Sequence, residues 1–437
     1  MKIKVSEESI VIQGKPYEEM TWGNYQFPQI YFANNAIYCT TLLGEDSWFD
    51  IGIGKDAWVI SKDGGNTWEM STEKVEKECG VQLPNGDYVR FPSRPPVIKN
   101  LSEIKEARIF RGLLPTDTVE KQPDGSWPYP VFAFHNLLDM NYIYRRDTLP
   151  DNEQDNEWHY FRIKNGTNEV LEEKATVERP FASYLASLQK DVAIGLSNWP
   201  ICGVKVDPEG NIWAVHYTGG HLNPINGAPS PNSAVELYKS TDNCKTFKLQ
   251  SYIPFIPDAV EEPTAFLGPD FSEATIEFMD DGSIIILMRT TDAYHGREWN
   301  PMYFARSTDG GKTFSKPVKF SEFGVLPRLV KLNCGVTLAA YGRPGIYVRP
   351  IDSKDGLTWG EPIEIMTPND RSGLMNTPPE RPDFHEYVGS CCNVDLKAIS
   401  DNQALLVYSD FYYPDKTGRT NKKVKTILSR IITVENE

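Results

Sequence analysis

A short polar octet that ends in an aromatic residue occurs four times in this chain. The copies are "SKDGGNTW", "STDNCKTF", "STDGGKTF" and the shortened "SKDGLTW", and they begin at Ser61, Ser240, Ser307 and Ser353. Asp and Asn hydrogen-bond their own backbone in turns, and Gly accepts a positive φ without steric cost. Each copy follows a β-like run such as "DAWVI" or "MYFAR". The repeat therefore predicts one unit of strand, turn and strand that is used several times.

The turns and strands group into six units, which predicts an all-β fold, a six-bladed β-propeller with four antiparallel strands per blade. Aromatic residues make up 12% of the chain, with 32 Gly and 32 Pro, and this composition favours strands and turns. The N-terminal run "IKVSEESIVIQ" is expected to add a strand to the last unit, because ring closure removes exposed strand edges. The predicted units span about 25–75, 80–185, 200–255, 270–322, 324–368 and 390–435.

Two segments stand apart in this scheme of a single domain over 1–437. The segment 145–180 is rich in charged residues, and we expect it to be a surface insertion. The run "FASYLASLQKDVA", 181–193, is the one candidate for a short helix.

Charge and composition exclude several function classes. The net charge of -15 argues against a broad nucleic-acid-binding face and against binding to anionic membranes. No run of 18 apolar residues and no signal peptide is evident, and the seven Cys show no paired spacing. We therefore expect a reduced cytoplasmic protein that uses no metal and no cofactor.

The octet resembles the Asp box of the sialidase superfamily, whose members are six-bladed propellers that act on carbohydrate. In that superfamily the boxes lie on the rim, away from the active site. The resemblance therefore implies a structural role for the four octet carboxylates, which are Asp63, Asp242, Asp309 and Asp355.

Part of the sialidase active site also has a counterpart. The stretch "FSEATIEFMDDGSIIILMR" resembles the pattern in which a Glu starts the innermost strand of the fourth blade and an Arg follows on the next strand, which implies roles for Glu273 and Arg289. Arg343 takes the place of a later sialidase Arg, with Arg349 the weaker match. Two guanidinium groups in one pocket suit a carboxylate, because the planar fork binds both of its oxygens.

Other positions depart from the family. Gln26 stands where sialidases place a first-blade Arg, and Asn393 stands where they place the nucleophilic Tyr, with Tyr387 nearby as a substitute. The loop acid is matched by Asp50 or, less well, by Asp46. A carboxyl pair of Glu273 with one of these two Asp suits glycosidic cleavage.

Two histidines follow apolar strands, His135 in "VFAFHNLLD" and His216 in "IWAVHYTGGH", and either is a candidate acid, base or sugar-stacking group. The favoured function is an exo-acting glycoside hydrolase on a terminal acidic sugar of a glycan. Two alternatives stay open: a polysaccharide lyase on a uronate-containing glycan, and a glycan-binding propeller without catalysis.

Overall fold

The computed structural model describes the chain in segments separated by gaps. The described residues are 2–16, 26–33, 35–42, 56–71, 80–91, 97–100, 131–132, 141–142, 157–167, 169–178, 186–189, 192–195, 200, 202–218, 221–222, 229–230, 234–255, 270–291, 301–342, 345–366, 394–414 and 423–435. Every regular element within these segments is a β-strand, so the predicted all-β class is confirmed. The same segments hold no apolar helix of membrane-spanning length.

The first half of the strands runs β1 Lys2–Val5, β2 Ser9–Pro16, β3 Gln26–Ala33, β4 Ala36–Leu42, β5 Asp56–Ser61, β6 Glu69–Met70, β7 Gly80–Gln82, β8 Tyr88–Arg90, β9 Val97–Asn100, β10 Val131–Phe132, β11 Asn141–Tyr142, β12 Glu157–Ile163, β13 Val170–Glu178, β14 Ala186–Gln189, β15 Val192–Gly195 and β16 Val204–Val206. The second half runs β17 Ile212–Thr218, β18 His221–Leu222, β19 Pro229–Ser230, β20 Ala234–Ser240, β21 Thr246–Pro254, β22 Asp270–Phe278, β23 Ile284–Thr291, β24 Met302–Ser307, β25 Val318–Ser321, β26 Val325–Lys331, β27 Val336–Gly342, β28 Ile346–Asp352, β29 Ile363–Met366, β30 Val394–Ser400, β31 Gln403–Pro414 and β32 Lys423–Glu435.

Most predicted units correspond to one sheet each. The strands β3 to β6, β22 to β25 and β26 to β29 form three four-stranded sheets in chain order. The last sheet holds β30, β31 and β32, and β1 pairs antiparallel with β32, so the N-terminal strand joins the last unit as predicted. The second and third units share one eight-stranded sheet, because β13 pairs in parallel with β21.

The prediction of a helix over 181–193 is wrong. Within that segment Ala186–Gln189 forms β14, and β15 follows at Val192–Gly195 as its antiparallel partner. Strand β15 also pairs with β9, in a five-stranded sheet that includes β10 and β11. Short apolar runs do not distinguish helix from strand by their periodicity, and here strand pairing decides.

The charged segment 145–180 includes two strands of the eight-stranded sheet. Strand β12 pairs with β8 on one side and with β13 on the other. Trp158 and Tyr160 of β12 are buried at 1% and 2% exposure, and in β13 the exposed Glu172, Lys174 and Glu178 alternate with less exposed residues. These exposed charges cover the outer face of the hairpin, whereas Glu173 lies on the inner face and pairs with the buried Arg162 at 2.9 Å.

The chain divides into two compact units. The first comprises Met1–Cys79, Thr275–Arg289 and Glu298–Glu437, and the second comprises Gly80–Ala274 and Thr290–Arg297. The predicted single domain is not tested by this division and stays a prediction.

Within the first unit, apolar clusters join neighbouring sheets in chain order. They lie between the sheet of β23–β25 and that of β26–β29, between the latter and the last sheet, and between the last sheet and that of β3–β6. Each cluster has members in both sheets, such as Phe304 and Tyr341 in the first, Leu338 and Leu406 in the second, and Ile30 and Val407 in the third. Face-to-face packing of successive sheets is the arrangement that a propeller requires.

The second compact unit contains an aromatic cluster within its eight-stranded sheet. Trp158 packs edge-on against Tyr238 at 5.1 Å between ring centroids and lies 5.3 Å from Phe247. Phe91 completes the group at 5.7 Å from Phe247. These contacts join the strands of the predicted strand unit 80–185 to those of the predicted strand unit 200–255.

The four octet turns, which begin at Ser61, Ser240, Ser307 and Ser353, are closed by their own Asp side chains. Asp63 Oδ1 accepts hydrogen bonds from Asn66 N at 3.1 Å and Thr67 N at 2.9 Å, and its Oδ2 accepts one from Thr67 Oγ1 at 2.6 Å. Trp68 donates from Nε1 to Gly65 O. The octet thus locks one turn conformation, as its sequence predicts.

Candidate functional site

Six of the ten predicted site residues lie outside the described residues. They are Asp46, Asp50, His135, Arg343, Tyr387 and Asn393. Gln26 begins β3, and its backbone pairs with that of Leu42. The roles predicted for these seven residues stay predictions.

Glu273 and Arg289 lie on neighbouring strands of one sheet. Glu273 is the fourth residue of β22, which begins at Asp270, so it lies three residues inside the strand that we predicted it to start. A tight turn leads to β23, in which Met279 N donates to Ser283 O at 2.8 Å and Gly282 has a φ of 82°. The predicted hairpin is therefore confirmed. Glu273 belongs to the second unit and Arg289 to the first, and their convergence on one pocket stays a prediction.

The backbone at Glu273 is unusual. Its φ of 21° lies in the left-handed region that side chains disfavour. Phe27 in β3 and Leu326 in β26 share this property, with φ of 50° and 44°, and both lie at a register shift against the next strand. We call these three positions the edge-strand starts, because β3, β22 and β26 are each the terminal strand of their sheet. Bulges and strained residues of this kind are enriched at functional sites, where they re-aim side chains.

In the first unit, a buried carboxylate links three edge strands. Asp395 of β30 is 5% exposed, and its Oδ2 accepts a hydrogen bond from Ile30 N of β3 at 2.8 Å. Its Oδ1 accepts one from Leu396 N at 3.0 Å and lies 3.6 Å from Arg328 Nε of β26. An edge strand has amides with no strand partner, and Asp395 supplies the acceptor for one of them.

In the second unit, His216 lies in a buried polar row. Cross-strand pairing places His216 of β17 opposite Glu236 of β20, and Glu236 opposite Tyr252 of β21. His216 and Glu236 are 2% and 3% exposed. Tyr238 donates from its hydroxyl to Glu236 Oε2 at 2.5 Å.

Burial dominates the electrostatics of this row. It raises the pKa of Tyr252, and the nearby Glu236 carboxylate raises it further. Trp158 packs against the His216 ring at 6.2 Å between centroids. His216 is therefore buried within the second compact unit, and its role as a catalytic group stays a prediction.

The described segments contain no cluster of three or more side chains able to hold a metal ion. They do contain groups that sequence reasoning missed, above all Asp395, Arg328 and Glu236. A signal for Asp395 existed, because "NVDLKAI" places one carboxylate between apolar residues of a predicted strand. Such a charge requires a partner, but the sequence does not say which one.

No protein-family model matches the sequence, and no curated protein matches it. Among solved structures, a protein of unknown function from Dyadobacter fermentans is 16% identical, with a TM-score of 0.55, over 99% of this chain and 99% of that one. This likeness shows a shared fold.

Two glycoside hydrolases are also among the similar structures. The NanB sialidase of Streptococcus pneumoniae is 11% identical, with a TM-score of 0.43, over 97% of this chain and 70% of that one. An α-L-arabinanase of Penicillium chrysogenum complexed with arabinobiose is 10% identical, with a TM-score of 0.45, over 97% of this chain and 98% of that one.

Proposed function

We propose that this protein is a glycoside hydrolase built on a six-bladed β-propeller, and that Glu273 is one of its catalytic carboxylates. The observation that carries the proposal is the strained backbone of Glu273 at the edge of its sheet, with a φ of 21°. A residue held in a disfavoured backbone conformation costs about 1–3 kcal/mol and persists where the surroundings fix it. A carboxylate fixed in this way is suited to acid, base or nucleophilic chemistry on a glycosidic bond.

The strand groups support the six-bladed architecture. The predicted units 25–75, 270–322, 324–368 and 390–435 each contribute one run of antiparallel strands, and the eight-stranded sheet holds one run from 80–185 and one from 200–255, joined by β13 and β21. The other strands of 80–185 lie in the five-stranded sheet. The packing of successive sheets in the first compact unit agrees with a propeller arrangement.

The substrate that we propose is a terminal acidic sugar. Arg289 and Arg343 are the candidates for binding its carboxylate, and Asp50 or Asp46 is the candidate for the second catalytic carboxyl group. In this scheme one carboxyl group protonates the leaving oxygen while the other activates water or attacks the sugar.

The test is a panel of fluorogenic glycosides assayed with the purified chain. It contains an α-sialoside, a β-glucuronide and, as a neutral sugar, an α-L-arabinofuranoside. Turnover of an acidic glycoside supports the proposal in full, and turnover of the neutral one alone corrects the substrate class. We expect Glu273→Gln to lower kcat by at least about a hundredfold. Glu277→Gln, the same change further along β22, is the matched control and should leave kcat within about threefold of wild type. No turnover of any glycoside, together with binding of glycans, would instead identify a binding propeller.

A further inference from the structure

The amide of Ala274, the residue after Glu273, donates its hydrogen bond to a side chain and not to a neighbouring strand. Strand β22 is the edge of its sheet, and Ala274 is 1% exposed, so water does not reach this N–H group. A buried amide without an acceptor costs about 1–3 kcal/mol. In this structure Ala274 N donates to the sulfur of Cys202 at 3.4 Å.

Cys202 is itself held in place by backbone hydrogen bonds. Its amide donates to Val215 O at 3.1 Å, and Val215 N donates to Gly203 O at 3.0 Å. Gly203 has a φ of 98° and donates to Pro200 O at 3.0 Å, which closes the turn that contains Cys202 and leads into β16. Gly adopts this φ without steric cost, so the turn that holds Cys202 is unstrained at this position.

The hydrogen bond acts directly on the geometry of Glu273. The Ala274 N–H group lies in the planar peptide that follows Glu273, so fixing its direction fixes the ψ of Glu273. The φ of Glu273 is already in a disfavoured region, and relaxation of this residue would turn its Cα–Cβ bond. The sulfur therefore opposes the rotation that would release the strain.

We propose that Cys202 is the positioning residue of Glu273. It acts through the Ala274 amide, keeps the strained backbone in place, and so sets the direction of the Glu273 carboxylate. The catalytic part of this inference rests on the proposed function, whereas the structural part, that the sulfur holds the amide, does not.

Two substitutions separate the acceptor from the volume of the side chain. Cys202→Ser keeps an acceptor at this position, and Cys202→Val keeps a similar volume without one. Cys334→Val is the matched control, since Cys334 is also a partly exposed free cysteine but lies in a turn of the first unit. All variants are first compared by thermal unfolding, and kinetics are measured well below the lowest Tm.

The first measurement is hydrogen exchange of the peptide that contains Ala274. We expect exchange to be at least about tenfold faster in Cys202→Val than in wild type, and to change little in Cys202→Ser, because an amide loses protection with its acceptor. Unchanged exchange in Cys202→Val would overturn the inference, whatever the activity.

The second measurement is kcat and KM with the glycoside that wild type turns over. We expect Cys202→Val to lower kcat by about tenfold to a hundredfold with KM within about twofold, because misplacement of a catalytic group slows the chemical step. Cys202→Ser should restore most of kcat, and Cys334→Val should not change it. A normal kcat in Cys202→Val overturns the positioning role. Absence of wild-type turnover overturns the proposed function and the catalytic part alike, and the exchange data then decide the structural part.

Discussion

The octet turns and the edge-strand starts both contain residues at positive φ, but they hold them by different means. In the first octet turn, Gly64 and Gly65 take φ of 76° and 95°, and every acceptor that closes the turn lies within the octet itself or, for Trp68, on Ser429. At the edge-strand starts, residues with side chains take the disfavoured φ, as Asn243 and Cys244 also do in the second octet turn. Near two of these starts an amide has an acceptor far away in sequence: Ile30, three residues after Phe27, donates to Asp395, and Ala274, next to Glu273, donates to Cys202.

The two groups therefore differ in backbone strain, which is low in the Gly and Asp turns and is maintained by tertiary contacts at the edge-strand starts. A turn built from Gly and Asp is the favoured conformation of its own sequence. A Phe, Glu or Leu at positive φ is not favoured locally, and only tertiary partners keep it there. We therefore expect substitutions of the long-range acceptors to have larger effects than substitutions within the turns.

The largest effect is expected from Asp395→Ala. It leaves the buried Ile30 amide without its acceptor and Arg328 without its carboxylate partner. We expect the free energy of unfolding to fall by roughly 2–4 kcal/mol, less than for a fully buried ion pair because the Arg328 side chain is 23% exposed. Denaturant unfolding measures the change. Asp401→Ala, which removes an exposed partner of Asn333, is the control, and an equally small loss in both variants would contradict this expectation.

The second effect is a contrast within one octet turn. A Cβ on Gly65 would lie 2.7 Å from Leu405 Cδ1, whereas a Cβ on Gly64 would meet nothing within 4 Å. Both positions have positive φ, so each Ala costs about 1 kcal/mol of backbone strain. Because Leu405 is fully buried, we expect Gly65→Ala to cost about 1–2 kcal/mol more than Gly64→Ala. Equal losses of unfolding free energy in the two variants would show that Leu405 moves aside at no cost.

The same contrast explains what the sequence could predict. The octets carry their own hydrogen-bond partners, so the turns and the hairpins follow from local patterns. The edge-strand starts do not, because nothing in "NYQFPQ" or "GVLPRL" states that Phe27 or Leu326 will take a positive φ.

The same distinction between local and long-range partners applies to the candidate site. The hairpin that carries Glu273 and Arg289 was predictable from its Asp-Gly turn and flanking strands. Cys202 was not predictable as a partner of Ala274, since the contact joins β22 to the turn before β16, a strand of a different sheet. The helix predicted over 181–193 failed for a related reason, because the pairing of β15 with β9 is a long-range choice.

A third prediction compares Gly substitutions on β22. Replacing Glu273 by Gly removes its strained φ, and this gain offsets the greater flexibility of the unfolded chain. We expect Glu273→Gly to stay within about 1 kcal/mol of wild type in unfolding free energy. Thr275→Gly gains no such relief and removes a side chain that is 6% exposed, so we expect it to cost about 2 kcal/mol. A Glu273→Gly loss as large as that of Thr275→Gly would mean that the φ of Glu273 stores no strain.

The smallest effect concerns the ionisation of the octet turns. Hydrogen bonds from the Thr67 side chain, the Thr67 amide and Ser61 lower the pKa of Asp63 from 3.8 to about 2. A carboxyl group whose pKa is depressed on folding stabilises the folded state above its unfolded pKa and loses that contribution as pH falls toward the folded value. We therefore expect the Tm difference between wild type and Asp63→Asn to be constant from pH 7 to about 5 and to shrink between pH about 4 and about 2. Asp355→Asn is the matched variant, because the shortened octet gives Asp355 one described acceptor bond, from Leu357 N at 2.9 Å. The Tm difference between wild type and Asp355→Asn should be smaller at neutral pH. A Tm difference for Asp63→Asn that does not change down to pH 2 would show that the charge of Asp63 does not stabilise the turn.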